Sequence, residues 1–454
     1  MGAVSEELVG CLVEEHLSWA RAQSATSAPS LGAAQLGAVL PPAEAASPLT
    51  LVTGPYGAGK TRFLEERARR LIALGAPPDS TLLVNAADAR LPTTLPRTFL
   101  ADVLEAYLAR APLARHQPIH LFIDNIESVE DWPRFIRSLI DAYPARIWAA
   151  DACASWLSSP RAKELPADAH VHTMLGPTTS TALRQILARV ADDAKSADPV
   201  HEALKRFYRL GRASALDEAA CTERTGERHR HLARLSCAAD VARKLPSTAL
   251  PLIMRTAALM IGASGTDLAL SSVQRSLAAE GMPTTRATVR TIADALEDAH
   301  LICRIGGLGK DEDSNPRAAQ LICACDHGLA QALAPAPLAP EPLLTSIVFE
   351  QLYEAGLSSR VRTHRPRAGR KRLIAWTEPG KGAPTQLIAT CACKKGERLP
   401  ASLVSTAALA LSDTGLSHLT VVTAGAAEVR ELDEGALSAV PLGEWLLERA
   451  GIIA

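Results

Sequence analysis

Three glycines, a lysine and a threonine within eight consecutive residues constrain the fold of this chain more than any other feature. The segment follows the apolar run Leu49–Val52 and reads Gly54-Pro55-Tyr56-Gly57-Ala58-Gly59-Lys60-Thr61. Glycines in such a turn let successive backbone N–H groups point at one anion, and a helix that begins behind it presents its positive end to the same anion. The pattern predicts a strand, a phosphate-binding loop and a helix, in that order.

Two side chains at the end of this loop have distinct expected roles. Lys60 is expected to reach the β- and γ-phosphates of a nucleotide, and the Thr61 hydroxyl is expected to ligate Mg²⁺. We therefore predict a nucleotide site formed by the eight residues Gly54 to Thr61, with Mg²⁺ as the companion ion. The loop itself does not distinguish ATP from GTP.

A carboxylate at the end of a neighbouring strand should complete the Mg²⁺ site. Asp124 ends the apolar run Ile119–Asp124 and fits this position, although an aspartate there is also typical of a helix cap. The next residue is Asn125, at a position where many P-loop ATPases carry a glutamate that orients water, and asparagine cannot accept a proton. Glu127 is the alternative candidate for the base, and it is also interpretable as a solvated loop residue.

Length and charge set the broad class of the protein. A chain of 454 residues exceeds what one hydrophobic core usually supports, so we expect roughly two to four domains. With 48 basic and 49 acidic residues, the net charge predicts no polyanionic partner for the molecule as a whole. The acidic N-terminus has the wrong charge order for a signal peptide, and the apolar window Ala249–Ile261 contains Pro251 and Arg255. We therefore expect a cytoplasmic protein without a membrane segment.

The cysteines are expected to be reduced thiols, because the chain has nine of them and no export signal. Two Cys-x-Cys pairs, Cys323 with Cys325 and Cys391 with Cys393, raise the alternative of a four-thiolate zinc site. Structural zinc sites usually place two or more residues between paired cysteines, which favours ordinary buried thiols.

The sequence predicts an α/β protein that begins with a parallel sheet and crossover helices. Short apolar runs at Thr81–Asn85, Ile119–Asp124 and Arg146–Ala150 alternate with helical stretches at Thr61–Leu74 and Thr98–Ala109. The expected domains are an N-terminal helix and connection (1–47), a P-loop core (48–176), a helical lid or connector (177–254), a winged-helix-like domain (255–333), a proline-rich linker (334–342) and a last α/β domain (343–454).

The winged-helix expectation depends on the order of elements in residues 255–333. Helical stretches are predicted at Gly265–Leu277 and Thr284–His300, followed by a short strand at Leu301–Ile305. The next segment, Ala334–Pro342, has four prolines in nine residues, which predicts a stiff extended spacer.

These residues resemble a family of prokaryotic AAA+-type ATPases in which a winged helix and a restriction-nuclease-like domain of unknown function follow the ATPase domain. The segment Phe122–Phe135, with its tryptophan and terminal phenylalanine, is similar to the family's stretch after the magnesium aspartate. Weaker similarities follow in the same order at Leu175–Thr178, Tyr208–Gly211, Thr288–Ile302, Asp326–Leu329 and Val348–Glu350. The resemblance implies ATP as the nucleotide and a degenerate nuclease-like domain at the C-terminus.

Departures from the family pattern affect the expected chemistry. Asn125 replaces the second acidic residue, and the polar sensor segment reads Ala150–Ser155, so slow or absent hydrolysis is expected. The nuclease-like domain lacks the family's aspartate in Gly369–Trp376 and its Glu-x-Lys in Gln386–Lys394. Glu350 alone cannot gather hard metal ions, so nuclease activity is not expected.

One charge cluster remains as a candidate nucleic-acid surface. The stretch between Glu354 and Glu378 contains no acidic residue. Its basic residues are Arg360, Arg362, Arg365, Arg367, Arg370, Lys371 and Arg372. Such a cluster would neutralise several phosphates of DNA or RNA, and the alternative is a solvated edge strand that charge protects from aggregation.

Two functions are compatible with these features. The first is an ATP-binding regulator or remodeller with slow or no hydrolysis. The second is a non-hydrolysing, ATP-responsive module whose C-terminal half binds nucleic acid or a protein partner. Oligomerisation is compatible with both.

Overall fold

The structure is a computed structural model of the 454-residue chain. It describes residues 4–25, 47–111, 114, 117–151, 164–174, 176–192, 198–212, 224–308, 319–354, 361–366, 372–377 and 383–452. The chain divides into two compact units, Met1–Met174 and Leu175–Ala454. Across the described ranges, every helix is too short or too polar to cross a membrane.

The first unit contains a five-stranded parallel sheet, which confirms the predicted alternation of strands and helices. Its strands are β1 (Leu49–Thr53), β2 (Thr81–Asn85), β3 (Ile119–Asp124), β4 (Ala145–Asp151) and β5 (His170–Thr173). The order across the sheet is β2-β3-β4-β1-β5, so β4 separates the strand before the loop from the strand that ends at Asp124. The three central strands are almost wholly buried, as apolar strands between helical layers must be.

In the described part of the first unit, four helices accompany this sheet: α1 (Glu6–Ala25), α2 (Lys60–Ala73), α3 (Phe99–Arg110) and α4 (Trp132–Ala142). Helix α1 is the predicted leader helix, and its apolar face, with Val13 and Leu17, joins the core of the unit. The His16 ring donates through Nε2 to the Thr81 carbonyl at 3.1 Å, which fixes α1 against β2. Burial lowers the pKa of His16 to about 4, so this ring is neutral at physiological pH.

The second unit begins with helices, as the sequence predicts for residues 177–254. They are α5 (Thr179–Asp192), α6 (Pro199–Leu210), α7 (Arg224–Ser236), a π-helical turn (Cys237–Val241) and α8 (Ala242–Lys244). A three-stranded antiparallel sheet follows, built from β6 (Thr266–Leu268), β7 (Ile302–Ile305) and β8 (Gln320–Ala324) in the order β6-β8-β7. Helices α9 (Leu250–Ile261), α10 (Leu270–Ala279) and α11 (Arg286–Asp298) accompany it.

The predicted helix Gly265–Leu277 is wrong at its start. Residues Thr266–Leu268 form β6, and the helix begins at Leu270. Gly265 has a φ of 77°, and a Cβ there would lie 2.0 Å from the Pro342 carbonyl oxygen. This close approach is a tertiary constraint that periodicity alone does not reveal.

The proline-rich spacer is shorter than predicted. Helix α12 (His327–Leu333) precedes it, and helix α13 begins at Pro340 and runs to Glu354. Pro340 and Pro342 occupy the first turn of α13, where a missing N–H costs no intrahelical hydrogen bond. The spacer is therefore confined to residues 334–339.

The chain ends in a six-stranded mixed sheet in the order β13-β14-β12-β11-β10-β9. The strands are β9 (Val361–His364), β10 (Leu373–Thr377), β11 (Pro384–Cys391), β12 (His418–Thr423), β13 (Glu428–Leu432) and β14 (Gly435–Pro441). Helix α14 (Ala401–Thr414) connects β11 to β12, and α15 (Leu442–Arg449) follows β14. Strands β11, β12 and β14 are parallel, and the other pairs are antiparallel.

The outer edge of β9 is paired with the segment that follows β7. The Thr363 N–H donates to the Gly306 carbonyl at 2.8 Å, and the Leu308 N–H donates to the Thr363 carbonyl at 2.9 Å. The three-stranded and six-stranded sheets of the second unit are therefore joined through backbone hydrogen bonds.

Candidate nucleotide-binding site

The glycine-rich loop connects β1 to α2 and requires glycine at defined positions. Gly57 and Gly59 have φ values of 80° and 96°, a region that other residues rarely adopt. At Gly54 a Cβ would lie 1.9 Å from the Met174 carbonyl oxygen, so the end of β5 leaves room for glycine alone. Tyr56, at the tip of the loop, is exposed. The loop thus has the backbone conformation that the glycine spacing predicts.

The start of the helix that follows the loop favours a bound anion. Helix α2 begins at Lys60, its cap residue Gly59 provides no side-chain hydrogen bond, and its first turn contains no acidic residue. The first N–H groups of a helix have no intrahelical partner and carry a partial positive charge. An anionic group in the loop would therefore meet no competing carboxylate from the first turn of this helix.

The Lys60 ammonium lies over the loop. Its Nζ donates to the Gly54 carbonyl at 2.8 Å and to the Pro55 carbonyl at 3.1 Å. These two bonds hold a positive charge inside the ring of backbone that the glycines form. A phosphate oxygen is a stronger acceptor than a neutral carbonyl, so the ammonium is placed to exchange these partners for phosphate.

Thr61 and Asp124 come together although they lie on different elements. The Thr61 hydroxyl donates to Asp124 Oδ2 at 2.6 Å, and the Asn125 N–H donates to Asp124 Oδ1 at 3.1 Å. Asp124 is only 2% exposed, and this burial raises its pKa, against the opposing effects of the Thr61 hydrogen bond and the Lys60 charge. A buried carboxylate beside a hydroxyl is a set of oxygen donors that suits Mg²⁺.

Asn125 is held in an unusual backbone conformation. Its φ of 55° and ψ of 45° are left-handed, a region in which asparagine is among the few tolerated residues. The Asn125 amide Nδ2 donates to the Asn85 side-chain oxygen at 2.9 Å. Asn85 was not among the predicted site residues, yet it ends β2, and the carboxyl ends of parallel strands meet at one edge of a sheet. That position is the signal that would have identified it.

Glu127 lies two residues beyond Asn125, in a 3₁₀ turn (Ile126–Ser128). Ile126 and Ser128 are buried, and Glu127 is half-buried between them. Its role as a catalytic base therefore stays a prediction.

The structure describes three residues of the Arg360–Arg372 cluster. Arg365 Nη2 lies 2.9 Å and Arg372 Nε lies 3.2 Å from the Asp267 carboxylate of β6, so one acid is shared by two arginines. Arg362, on β9, donates to the Val361 carbonyl. The other members, Arg360, Arg367, Arg370 and Lys371, lie outside the described residues.

Glu350, the remaining carboxylate of the nuclease-like pattern, is engaged by the protein's own cations. Its Oε2 lies 3.3 Å from Arg212 Nε and 2.9 Å from His327 Nδ1, and all three side chains are almost fully buried. Arg212 also pairs with Glu354 and donates to the Cys325 carbonyl. The sequence analysis missed Arg212, which comes immediately after the family-like segment Tyr208–Gly211. This carboxylate is therefore part of an internal ion-pair network rather than an open metal site.

Comparison with protein families identifies the first region of the chain. A family model described as an AAA domain matches residues 46–182. These residues contain the loop, Asp124 and the parallel sheet, so the chain carries an ATP-binding domain of the AAA type. The search of curated proteins gives no match.

Two solved structures are among those that match this chain. The Walker-type ATPase of Pyrococcus abyssi is 12% identical, with a TM-score of 0.44, and the match covers 72% of this chain and 95% of that chain. The Orc1 protein of Aeropyrum pernix, determined in complex with DNA, is 15% identical, with a TM-score of 0.29, and the match covers 66% of this chain and 90% of that chain.

Proposed function

We propose that the first unit binds ATP with Mg²⁺ and hydrolyses it slowly or not at all, so that the protein is a nucleotide-dependent regulator or remodeller. The observation that carries this proposal is the residue after Asp124. Asn125 cannot accept a proton, and its amide is tied to Asn85 at 2.9 Å. The residues that we propose to bind phosphate and Mg²⁺ are thus present, whereas the position after Asp124 lacks the usual base.

The residues present fit Mg·ATP. Lys60 would hold the β- and γ-phosphates, while the loop N–H groups and the start of α2 would hold the remaining oxygens. Thr61 and Asp124 would hold Mg²⁺, since their oxygens already lie 2.6 Å apart and the carboxylate is buried at the end of the loop. The ion would supply charge neutralisation at the phosphates.

Slow hydrolysis follows from proton transfer. Attack by water on a phosphate is assisted when a carboxylate orients the water and accepts its proton, an effect of about 10²–10⁴-fold. Asn125 can orient a water molecule through its amide, but its Nδ2 is already committed to Asn85. The site therefore favours a long-lived bound state, in which ATP acts by stabilising one conformation.

Calorimetry and a phosphate-release assay on the same preparation test this function. We expect Mg-dependent binding of ATP together with a turnover rate far below that of an ATPase with a glutamate base. The absence of ATP binding would refute the site, and rapid turnover by the unmodified protein would refute the proposed mechanism while leaving the site intact.

We propose two further assignments, a winged helix and a nuclease-like domain, both in the second unit. The element order helix, strand, helix, helix, strand, strand in α9, β6, α10, α11, β7 and β8 is typical of a winged helix. The order helix, three strands, helix, strand in α13, β9 to β11, α14 and β12 is compatible with a nuclease-like domain. The network of Arg212 with Glu350 supports a degenerate form of that domain, because a guanidinium lies beside the carboxylate that a metal would need.

The alternative function, binding of nucleic acid by the C-terminal half, is favoured by the charge around Arg365. Arg362, Arg365 and Arg372 contribute three positive charges against the one negative charge of Asp267. If this surface binds phosphates, Asp267→Asn should remove the negative charge that faces Arg365 and Arg372, strengthen the binding of duplex DNA at low salt and steepen its salt dependence.

A matched control is Glu202→Gln, which removes the same charge in the same unit and breaks the ion pair with Arg206 instead. We expect it to leave DNA binding unchanged. Equal effects of Asp267→Asn and Glu202→Gln would mean that DNA binding depends on the net charge of the protein and not on this surface. If no variant binds DNA, a protein partner is favoured.

A further inference from the structure

We propose that Cys391 and Cys393 form a site of reversible thiol modification, at which a small anionic disulfide of the glutathione type converts the two thiols into an intramolecular disulfide. The site lies at the carboxyl end of β11, in the six-stranded sheet of the second unit. It is independent of the nucleotide loop and of the function proposed for it.

The backbone places the two sulfurs together. Cys391 is the last residue of β11, and side chains two residues apart in an extended segment point to the same side. The two Sγ atoms lie 3.2 Å apart, and Cys393 Sγ donates to the Arg398 carbonyl at 3.5 Å. Within the described ranges, no group of three or more His, Cys, Asp or Glu residues is placed to hold a metal ion. The pair is therefore a dithiol without further metal ligands of this kind.

The surroundings favour an anionic reagent. Lys394, Lys395 and Arg398 are exposed and lie within five residues of the pair. Two acids lie beside them: Glu397 accepts the Lys394 N–H at 2.7 Å, and Glu428 accepts the Leu399 N–H at 3.2 Å. Glutathione disulfide carries several carboxylates, so it is attracted to this surface at low ionic strength. Both thiols are buried, at 8% exposure for Cys393 and 5% for Cys391, and Cys393 adjoins the exposed residues 394–398, so we place the first attack at Cys393.

The reaction needs no reagent other than the disulfide. The Cys393 thiol loses its proton to solvent, and its thiolate attacks one sulfur of the reagent; the reagent S–S bond breaks and one glutathione thiolate leaves and is protonated. The Cys391 thiol then loses its proton to solvent, and its thiolate attacks Cys393 Sγ; the mixed disulfide breaks, and the second glutathione leaves as a thiolate that is protonated. Two protein thiols are oxidised, and one reagent disulfide is reduced to two thiols.

The product should be easy to reduce. Fully extended residues two apart have Cα atoms about 6.6 Å apart, near the upper end of the range that a disulfide spans. Closing the bond also pulls on the pairing of the Cys391 and Cys393 carbonyls with the Ala424 and Ala426 N–H groups. Strained disulfides are the labile ones, so an excess of reduced glutathione should reopen the bond.

The chain contains its own control. Cys323 and Cys325 have the same spacing at the end of β8, but burial raises the pKa of Cys323 well above its ordinary value and that of Cys325 to about 12. The thiolate is the reacting form, so these two cysteines should stay reduced.

The test treats the full-length protein with oxidised glutathione and then digests it with trypsin after alkylation of free thiols. Cleavage after Lys381 and Lys394 gives a peptide that contains only Cys391 and Cys393. We expect this peptide to lose two hydrogens and to take up no alkylating agent, while the Cys323–Cys325 peptide is fully alkylated. Reduced glutathione should restore both Cys391 and Cys393 to the alkylated state.

Single variants separate the steps of the exchange. Cys391→Ser should trap glutathione on Cys393, because the second thiol is missing, and Cys393→Ser should react more slowly because Cys391 is less exposed. A peptide that stays fully alkylated after oxidation, or that carries two glutathiones and no internal bond, would overturn the proposal. Equal oxidation of the Cys323–Cys325 peptide would also overturn it.

Discussion

Replacing Asn125 by glutamate is the sharpest test of the proposed mechanism, and Asn125→Gln is its matched control. Both variants lengthen the side chain by one methylene, and both place a residue less tolerant than asparagine at a φ of 55°. The left-handed conformation then costs about 1 kcal/mol, and loss of the Asn85 hydrogen bond costs about 1 kcal/mol more. The two variants should therefore be equally destabilised, by about 2 kcal/mol, and thermal unfolding checks this.

Only the glutamate variant gains a group that accepts a proton. A well-placed base accelerates hydrolysis by about 10²–10⁴-fold, which corresponds to about 2.7–5.4 kcal/mol of barrier. We therefore expect Asn125→Glu to release phosphate from ATP faster than the unmodified protein, while Asn125→Gln does not. Phosphate release at saturating Mg·ATP measures the effect independently of affinity.

Two results would refute this reasoning. If Asn125→Gln matches Asn125→Glu, then the loss of the Asn85 bond, rather than the new carboxylate, controls the rate. If the unmodified protein already hydrolyses ATP rapidly and Glu127→Gln abolishes the activity, then Glu127 is the base and Asn125 is not limiting.

Three further predictions concern single side chains. Lys60→Ala should abolish or greatly weaken ATP binding, and unchanged affinity by calorimetry would remove Lys60 from the site. Asp124→Asn should raise the melting temperature of the nucleotide-free protein at neutral pH, because burial raises the pKa of Asp124 and its charged form is therefore penalised by folding. This gain in melting temperature should disappear below a pH of about 4, where the unfolded-state carboxyl is protonated too. The same substitution should weaken Mg-dependent ATP binding. Arg212→Ala should destabilise the second unit by about 3–5 kcal/mol in denaturant unfolding, since the buried Glu350 loses its guanidinium and keeps only the His327 ring, whereas Arg212→Met with Glu350→Leu should cost less.

Local patterns were sufficient to predict much of the first unit. The bounds of β2 and β3 follow from short apolar runs, and the loop follows from the spacing of its glycines, because both signals are contained in a few adjacent residues. Strand β5 was not predicted, since its sequence His170–Thr173 is polar and half-exposed and does not read as a buried run.

Contacts between distant residues could not be predicted in this way. Asn85 lies 40 residues before Asn125, and Arg212 lies 142 residues before Glu354. Neither position has an unusual neighbourhood in the sequence, and each acquires its role from the packing of separate elements. The pairing of Asp267 with Arg365 is of the same kind, and it alters the charge of a cluster that appears free of acids along the chain.

The backbone pairing of Thr363 with Gly306 and Leu308 also bears on self-association. An unpaired edge strand is a template on which another chain can add, and β9 would be such a strand at one end of the six-stranded sheet. At the other end, β13 carries charged side chains, including the pair of Arg430 with Glu428, that disfavour such addition. A variant in which the segment 306–308 no longer pairs with β9 would therefore expose an edge strand to which other chains can add. We expect such a variant to aggregate during expression before it loses affinity for the nucleotide.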